Sequence, residues 1–234
     1  MSAEQKVQKT KANGITEGSI FGQLLLFFFP ILFGTFFQQL YNTADAVVVG
    51  RFVGKQALAA VGGTTSTLIN LMVGFFVGLS SGATVVISQY YGAKKADKVH
   101  WAVHTSVAFS VIGGVLFMAV GLVGARWALT AMHTPEDVMD HAVTYIRIYF
   151  LGMVPNLLYN MGAGILRAVG DSRRPLYFLI GSCFVNIILD VVLVAVLRMG
   201  VAGAALATIS SNISICSVVI SFAIVFNTPL IILL

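Results

Sequence analysis

Residues 21–50 read FGQLLLFFFPILFGTFFQQLYNTADAVVVG, and Asp45 is the one formally charged side chain among them. A membrane-crossing helix needs about 20 predominantly apolar residues. This run exceeds that length and carries a proline in its first half and an acid near its far end. It predicts a transmembrane helix in which a polar stripe interrupts an otherwise apolar surface.

Five further apolar runs follow the same rule, giving spans at about Phe21–Gly50, Leu58–Tyr90, Val99–Leu122, Ala142–Leu166, Leu176–Leu197 and Val201–Phe226. The second is long and rich in glycine, which predicts a bend or an overhang beyond the bilayer. Composition agrees with this reading. Hydrophobic residues make up 58% of the 234 and charged residues 10%, whereas soluble domains are nearer a quarter charged. Glycine, at 23 residues, serves in lipid as a helix-packing residue. The expected fold is all-α: a polytopic membrane protein built as a six-transmembrane-helix bundle over residues 19–228. A cytoplasmic N-terminal tail (1–18) and a short, truncated C-terminal tail (229–234) flank it. Cys183 and Cys216 lie in apolar runs with no metal-ligand spacing, so both read as packing residues.

The net charge of +5 implies topology rather than a nucleic-acid partner, because the basic residues sit between the apolar runs. With a cytoplasmic N-terminus, the inner side holds Lys6, Lys9, Lys11, Lys94, Lys95, Lys98, Arg167, Arg173 and Arg174. The outer side holds Arg51, Lys55, Arg126 and Arg198. The excess of inner positive charge predicts both termini in the cytoplasm of a cell inner (plasma) membrane protein. Arg147 is expected to reach outward or to pair with the acidic cluster of Glu136, Asp137 and Asp140. Pro30 and Pro155 each remove a backbone donor and predict kinks in the first and fourth helices.

Of nine acidic residues, only Asp45 and Asp190 fall inside predicted spans. An ionisable group at that depth is costly and faces a bundle interior or a wet cavity. At a rise of about 1.5 Å per residue, Asp190 lies roughly 24 Å from the inner end of the fifth helix. Asp45 and Thr208 fall at similar depth on the first and sixth helices. Asn186 and Asp190 are four apart and share a face, and Gln38, Asn42 and Asp45 form a stripe. Thr64, Asn70 and Asn212 are further candidates. Carboxylate, amide and hydroxyl oxygens with no fixed countercharge suit a cation, either Na⁺ or a proton, and its uptake and release can bias two conformations. The segments Thr43–Ser66 and Ile188–Ser211 also echo each other: an in-span Asp, a short basic turn, then a small-residue helix.

At these residues the chain resembles the multidrug and toxic compound extrusion (MATE) family. The resemblance is carried by Pro30, QQLYNTADAVVVGRFVG (38–54) with ALAAVG (57–62) and GLSSGATVVISQYYGAKK (78–95), and continues in ILRAVGDSRRPLY (165–177), NIILDVVLV (186–194) and MGVAGAALAT (199–208). It implies one lobe of a twelve-helix transporter that exports organic, often cationic, compounds against Na⁺ or H⁺, with no cofactor besides the coupling ion. It implies a cation site at Asp45, Asn186, Asp190 and Thr208, the same residues serving as ligands if the ion is Na⁺. Gln38 and Asn160 are candidates beside them, and Pro30 is the implied hinge. The family is about twice this length, so the expected partners are a second six-helix bundle, a small organic substrate and the lipid bilayer.

Three other functions compete with export. A lipid-linked oligosaccharide flippase would favour more cationic residues in the spans. An intramembrane aspartyl protease would show YD and GxGD rather than TADA and ILDV. The half length is also compatible with a non-transporting subunit. The substrate cavity is expected to draw on Phe36, Phe37, Tyr41, Met72 and Met161.

Overall fold

The structure is a computed structural model that describes residues 20–225, and the predicted tails and the end of the sixth run at Phe226 lie outside the described residues. Every regular element among them is helical. In chain order they are α1 (Ile20–Phe52), α2 (Lys55–Gly62), α3 (Thr64–Gly92), α4 (Ala96–Ala131), α5 (Glu136–Leu151), α6 (Met153–Ala168), α7 (Arg173–Asp190) with a π-helical turn at Val191–Val196, and α8 (Gly200–Val225). Among the described residues, five stretches are long and apolar enough to cross a membrane: Leu24–Phe52, Lys55–Gly92, Ala96–Ala131, Arg173–Val196 and Gly200–Ser217.

The exception is the expected fourth span. It is not one helix but two 16-residue helices, α5 and α6, separated at Gly152. Pro155 explains the position of the break. Its missing N–H and its ring act on the carbonyl four residues earlier, Leu151, so the helix stops there and restarts beyond Gly152. Pro30 has a different outcome: α1 runs through it without interruption.

The second span bends as its glycines predict. Gly63 separates α2 from α3, and a Cβ there would stand 2.5 Å from the Ala59 carbonyl oxygen. The acids Asp97, Glu136 and Asp137 lie in the first turns of α4 and α5, where negative charge complements the helix dipole. Arg147 is exposed, and among the described residues the one ion pair is Arg174 Nε with Asp171 Oδ2 at 2.8 Å.

α6 is the packing centre, set against α4, α3 and α8, while α7 joins α1 to α8. Small residues permit the close approaches. A Cβ on Gly164 would meet Ser80 Oγ and Thr84 Oγ1 of α3 at 2.6 and 2.7 Å, and Ser80 Oγ donates to the Asn160 carbonyl at 3.0 Å. The outer surface is apolar, with Phe21, Trp101, Val123 and Trp127 each more than 70% exposed. Long apolar helices with an apolar exterior describe a membrane-embedded, multi-pass protein.

The start of α7 is pinned by one side chain. Asp171 Oδ1 accepts from the backbone N–H groups of Arg173 at 3.2 Å and Arg174 at 3.1 Å. Asp171→Ala is expected to cost about 1 kcal/mol of stability, the usual loss of a capping acceptor. Asp171→Asn should retain most of it, because its amide oxygen still accepts. Thermal unfolding of the two variants compares these outcomes.

Candidate functional site

Three helices deliver the polar cluster. α1 contributes Asp45, 5% exposed. α7 contributes Asn186 and, at its last residue, Asp190, 1% and 0% exposed. α8 contributes Thr208, 1% exposed. The four residues come together. Thr208 Oγ1 lies 3.3 Å from Asp45 Oδ2 and 3.1 Å from the Ala204 carbonyl four residues back on its own helix. Asn186 sits between the acids. With its amide nitrogen turned to them, Nδ2 donates to Asp45 Oδ1 at 3.1 Å and to Asp190 Oδ2 at 3.3 Å. The two carboxyl groups are thus linked through one shared partner, the Asn186 amide. Asp190 Oδ1 is buried with no partner.

Local structure places these groups. Asp190 is the residue before the π turn, where the chain closes wider hydrogen bonds such as Leu197 N–H to Val192 O at 2.9 Å. Such turns recur at functional sites. Gly203 lets α8 approach that segment, since a Cβ there would stand 3.1 Å from the Leu193 carbonyl group. Thr208 on α8 thereby reaches Asp45 on α1.

A cavity of about 280 Å³ reaches Asp45 and Asn186. On α1 it is lined by Gln38, Gln39, Tyr41, Asn42 and Asp45. α3 gives Ser66 and Asn70, and α8 gives Ser211 and Asn212. Asp190 and Thr208 are not on its wall; they stand behind Asp45 and Asn186. Gln38 and Asn160 line the cavity but do not bond the acids: Asn160 Nδ2 donates to the Asn156 carbonyl and to Asn156 Oδ1, both at 2.9 Å. A smaller cavity of about 110 Å³, lined by Pro30, Gly34 and Arg167 among others, shares Gln38, Tyr159 and Asn160 with the first.

The lining of this cavity differs from the residues singled out in the sequence. Thr64 lies outside the cavity and pairs with Thr134 across 2.7 Å. Of Phe36, Phe37, Tyr41, Met72 and Met161, only Tyr41 is on the wall. Met161 belongs to a separate apolar cluster with Ile87 and Val103, and Phe36 is 61% exposed. The aromatic lining is instead tyrosine: Tyr145 and Tyr149 of α5, stacked with ring centroids 6.3 Å apart, and Tyr159 of α6. The sequence does carry a sign of this. Tyr145, Tyr149, Asn156 and Asn160 follow at intervals of four, seven and four, one face of a helix.

Comparison with known proteins places the fold. The chain is 32% identical over 202 residues to the protein named "Probable multidrug resistance protein YpnP" of Bacillus subtilis, covering 86% of this chain and 45% of that protein. The crystal structure of MATE in the straight conformation superposes with a TM-score of 0.84 at 26% identity, over 93% of this chain and 48% of that one. The structure of MATE in the bent conformation gives 0.79 at 28% identity, over 88% and 45%. The chain thus spans about half the length of the curated relatives it matches. Residues 30–192 match the MatE family model, and the chain belongs to the MatE family.

Proposed function

We propose that this chain forms the N-terminal lobe of a cation-coupled exporter of organic, often cationic, compounds. The observation that carries the reading is the buried group of Asp45, Asn186, Asp190 and Thr208 behind a polar cavity wall. Two carboxylates this close repel strongly in a low-dielectric interior. A cation between them removes that repulsion, so its presence or absence changes which lobe conformation is favoured. The residues present fit Na⁺ or a proton equally in kind. The acids and the Thr208 hydroxyl supply oxygens, and rotating the Asn186 amide exchanges a donor for a further oxygen. Asn186 Nδ2 bridges the carboxylates, a role that a cation between them would take over.

The cavity above this group suits organic cations. Its lining includes three tyrosine rings besides Tyr41 and contains no lysine or arginine. That lack of fixed positive charge favours export of cationic compounds over handling of a lipid-linked pyrophosphate. Pro30, within a continuous α1 and on the wall of the smaller cavity, is the proposed hinge. The lobe sits in the cell inner membrane with both termini cytoplasmic, and a second six-helix bundle completes the substrate path.

Reconstitution tests the reading. The chain alone in liposomes is expected to show no gradient-driven efflux of a fluorescent organic cation, and joining it to a second six-helix bundle is expected to restore efflux. Efflux by the lobe alone would overturn the two-lobe assignment. No efflux from the joined protein in either a Na⁺ or a pH gradient would overturn coupled export.

A further inference from the structure

A groove of about 490 Å³ lies between α3 and α4, away from the aspartates. Its floor is small or apolar, with Gly82, Ala83 and Ala102 among its residues. Tyr90, Lys98 and Trp101 stand at the end nearest the α3–α4 turn. A Cβ added to Gly82 would meet nothing within 4 Å, so this glycine is not spent on helix packing and leaves the floor open. At the polar end, Lys98 Nζ stands 5.6 Å from the centre of the Tyr90 ring. Trp101 is 74% exposed beside it, and the adjoining turn carries exposed Lys94 and Lys95. Asp97 is the one acid in that turn, so the end is net positive. Along α4 the groove extends from Lys98 to Ser106, a rise of about 12 Å.

We propose that this groove binds an anionic phospholipid. The headgroup phosphate rests on Lys98 beneath the Tyr90 and Trp101 rings, and an acyl chain lies along Gly82, Ala83 and Ala102. Charge complementarity and shape both support this occupant. A basic end flanked by interfacial aromatic residues matches an anionic headgroup, and an open apolar slot running into the span matches a hydrocarbon tail. Neutral phosphatidylcholine fits the slot but gains nothing from the excess positive charge.

The two tryptophans, Trp101 and Trp127, make a direct test possible because they lie near opposite ends of α4. The full chain is placed in phosphatidylcholine vesicles that contain a small fraction of brominated lipid, which quenches nearby indole fluorescence. In the Trp127→Phe variant, brominated phosphatidylglycerol should quench Trp101 about fivefold more effectively than brominated phosphatidylcholine at equal fraction. That factor corresponds to one lysine near the surface. Adding Lys98→Gln should remove most of the preference, and adding Gly82→Leu should remove it by filling the slot with the charges intact. The Trp101→Phe variant, which leaves Trp127 alone, should be quenched equally by both lipids and so reports insertion. Added inorganic phosphate should not displace the lipid. Equal quenching of Trp101 by the two lipids, a preference unchanged by both Lys98→Gln and Gly82→Leu, or full competition by phosphate would each overturn the assignment.

Discussion

Asp45→Asn or Asp190→Asn, in a complete two-lobe transporter with this chain as its first half, is expected to reduce gradient-driven export on the order of 100-fold, the upper range of a typical coupling free energy. The substitution preserves shape, removes the negative charge and turns one of the two acceptor oxygens into a donor, to which the Asn186 amide can adapt by rotating. In Asp45→Asn the side-chain oxygen can still accept from Thr208, now 3.3 Å from Asp45 Oδ2. Folding should therefore survive while cation binding no longer biases the lobe. Replacing either acid alone should suffice to abolish coupling, because Asn186 ties the two into one unit at 3.1 and 3.3 Å. The double variant should be scarcely worse than either single one. Dye efflux from energised vesicles, normalised to protein amount, is the measurement. Additive losses would mean that the acids act independently.

The largest expected effect on stability lies elsewhere, at Gly114 of α4. A Cβ there would stand 2.9 Å from Val154 Cα and 3.1 Å from Val154 Cγ2 on α6. The obstruction is backbone, so no side-chain rotation relieves it. Gly114→Leu should force α4 away from the packing centre of the lobe at a cost of about 3 kcal/mol or more. Gly124 on the same helix is a matched control, since a Cβ there meets nothing within 4 Å. Gly124→Leu should stay within about 0.5 kcal/mol of the parent. Thermal unfolding in detergent compares the two, and equal losses would contradict the close α4–α6 approach.

These sites differ in how far the sequence alone discloses them. Asp45 and Asp190 stand out because an acid in an apolar run is conspicuous, and the helical rise puts them at similar depth with Thr208. The Asn186–Asp190 spacing likewise places two polar groups on one face. The Tyr145–Tyr149–Asn156–Asn160 face has the same periodicity but is easily missed. Tyrosine counts as apolar in a hydropathy reading, and the stripe crosses the break at Gly152. That break is itself only half legible. Pro155 announces a disturbance, but its effect falls on the carbonyl of Leu151, one turn earlier. The π turn at Val191–Val196 leaves no mark at all, since VVLVAV is ordinary helix composition in lipid. Its geometry depends on how α8 packs through Gly203. Thr64 illustrates the opposite error. A hydroxyl in a span resembles a site residue until its partner is known, and here the partner is Thr134.

The central claim is that Asp45 and Asp190 form a single site for one cation. Cation binding to the purified lobe tests it most directly, with radioactive Na⁺ uptake and proton exchange measured in parallel on the parent chain, Asp45→Asn and Asp190→Asn. The account predicts one cation per parent chain, Na⁺ or H⁺, and loss of that binding in each single variant. Undiminished binding in either variant, or two independent cations in the parent, would contradict it.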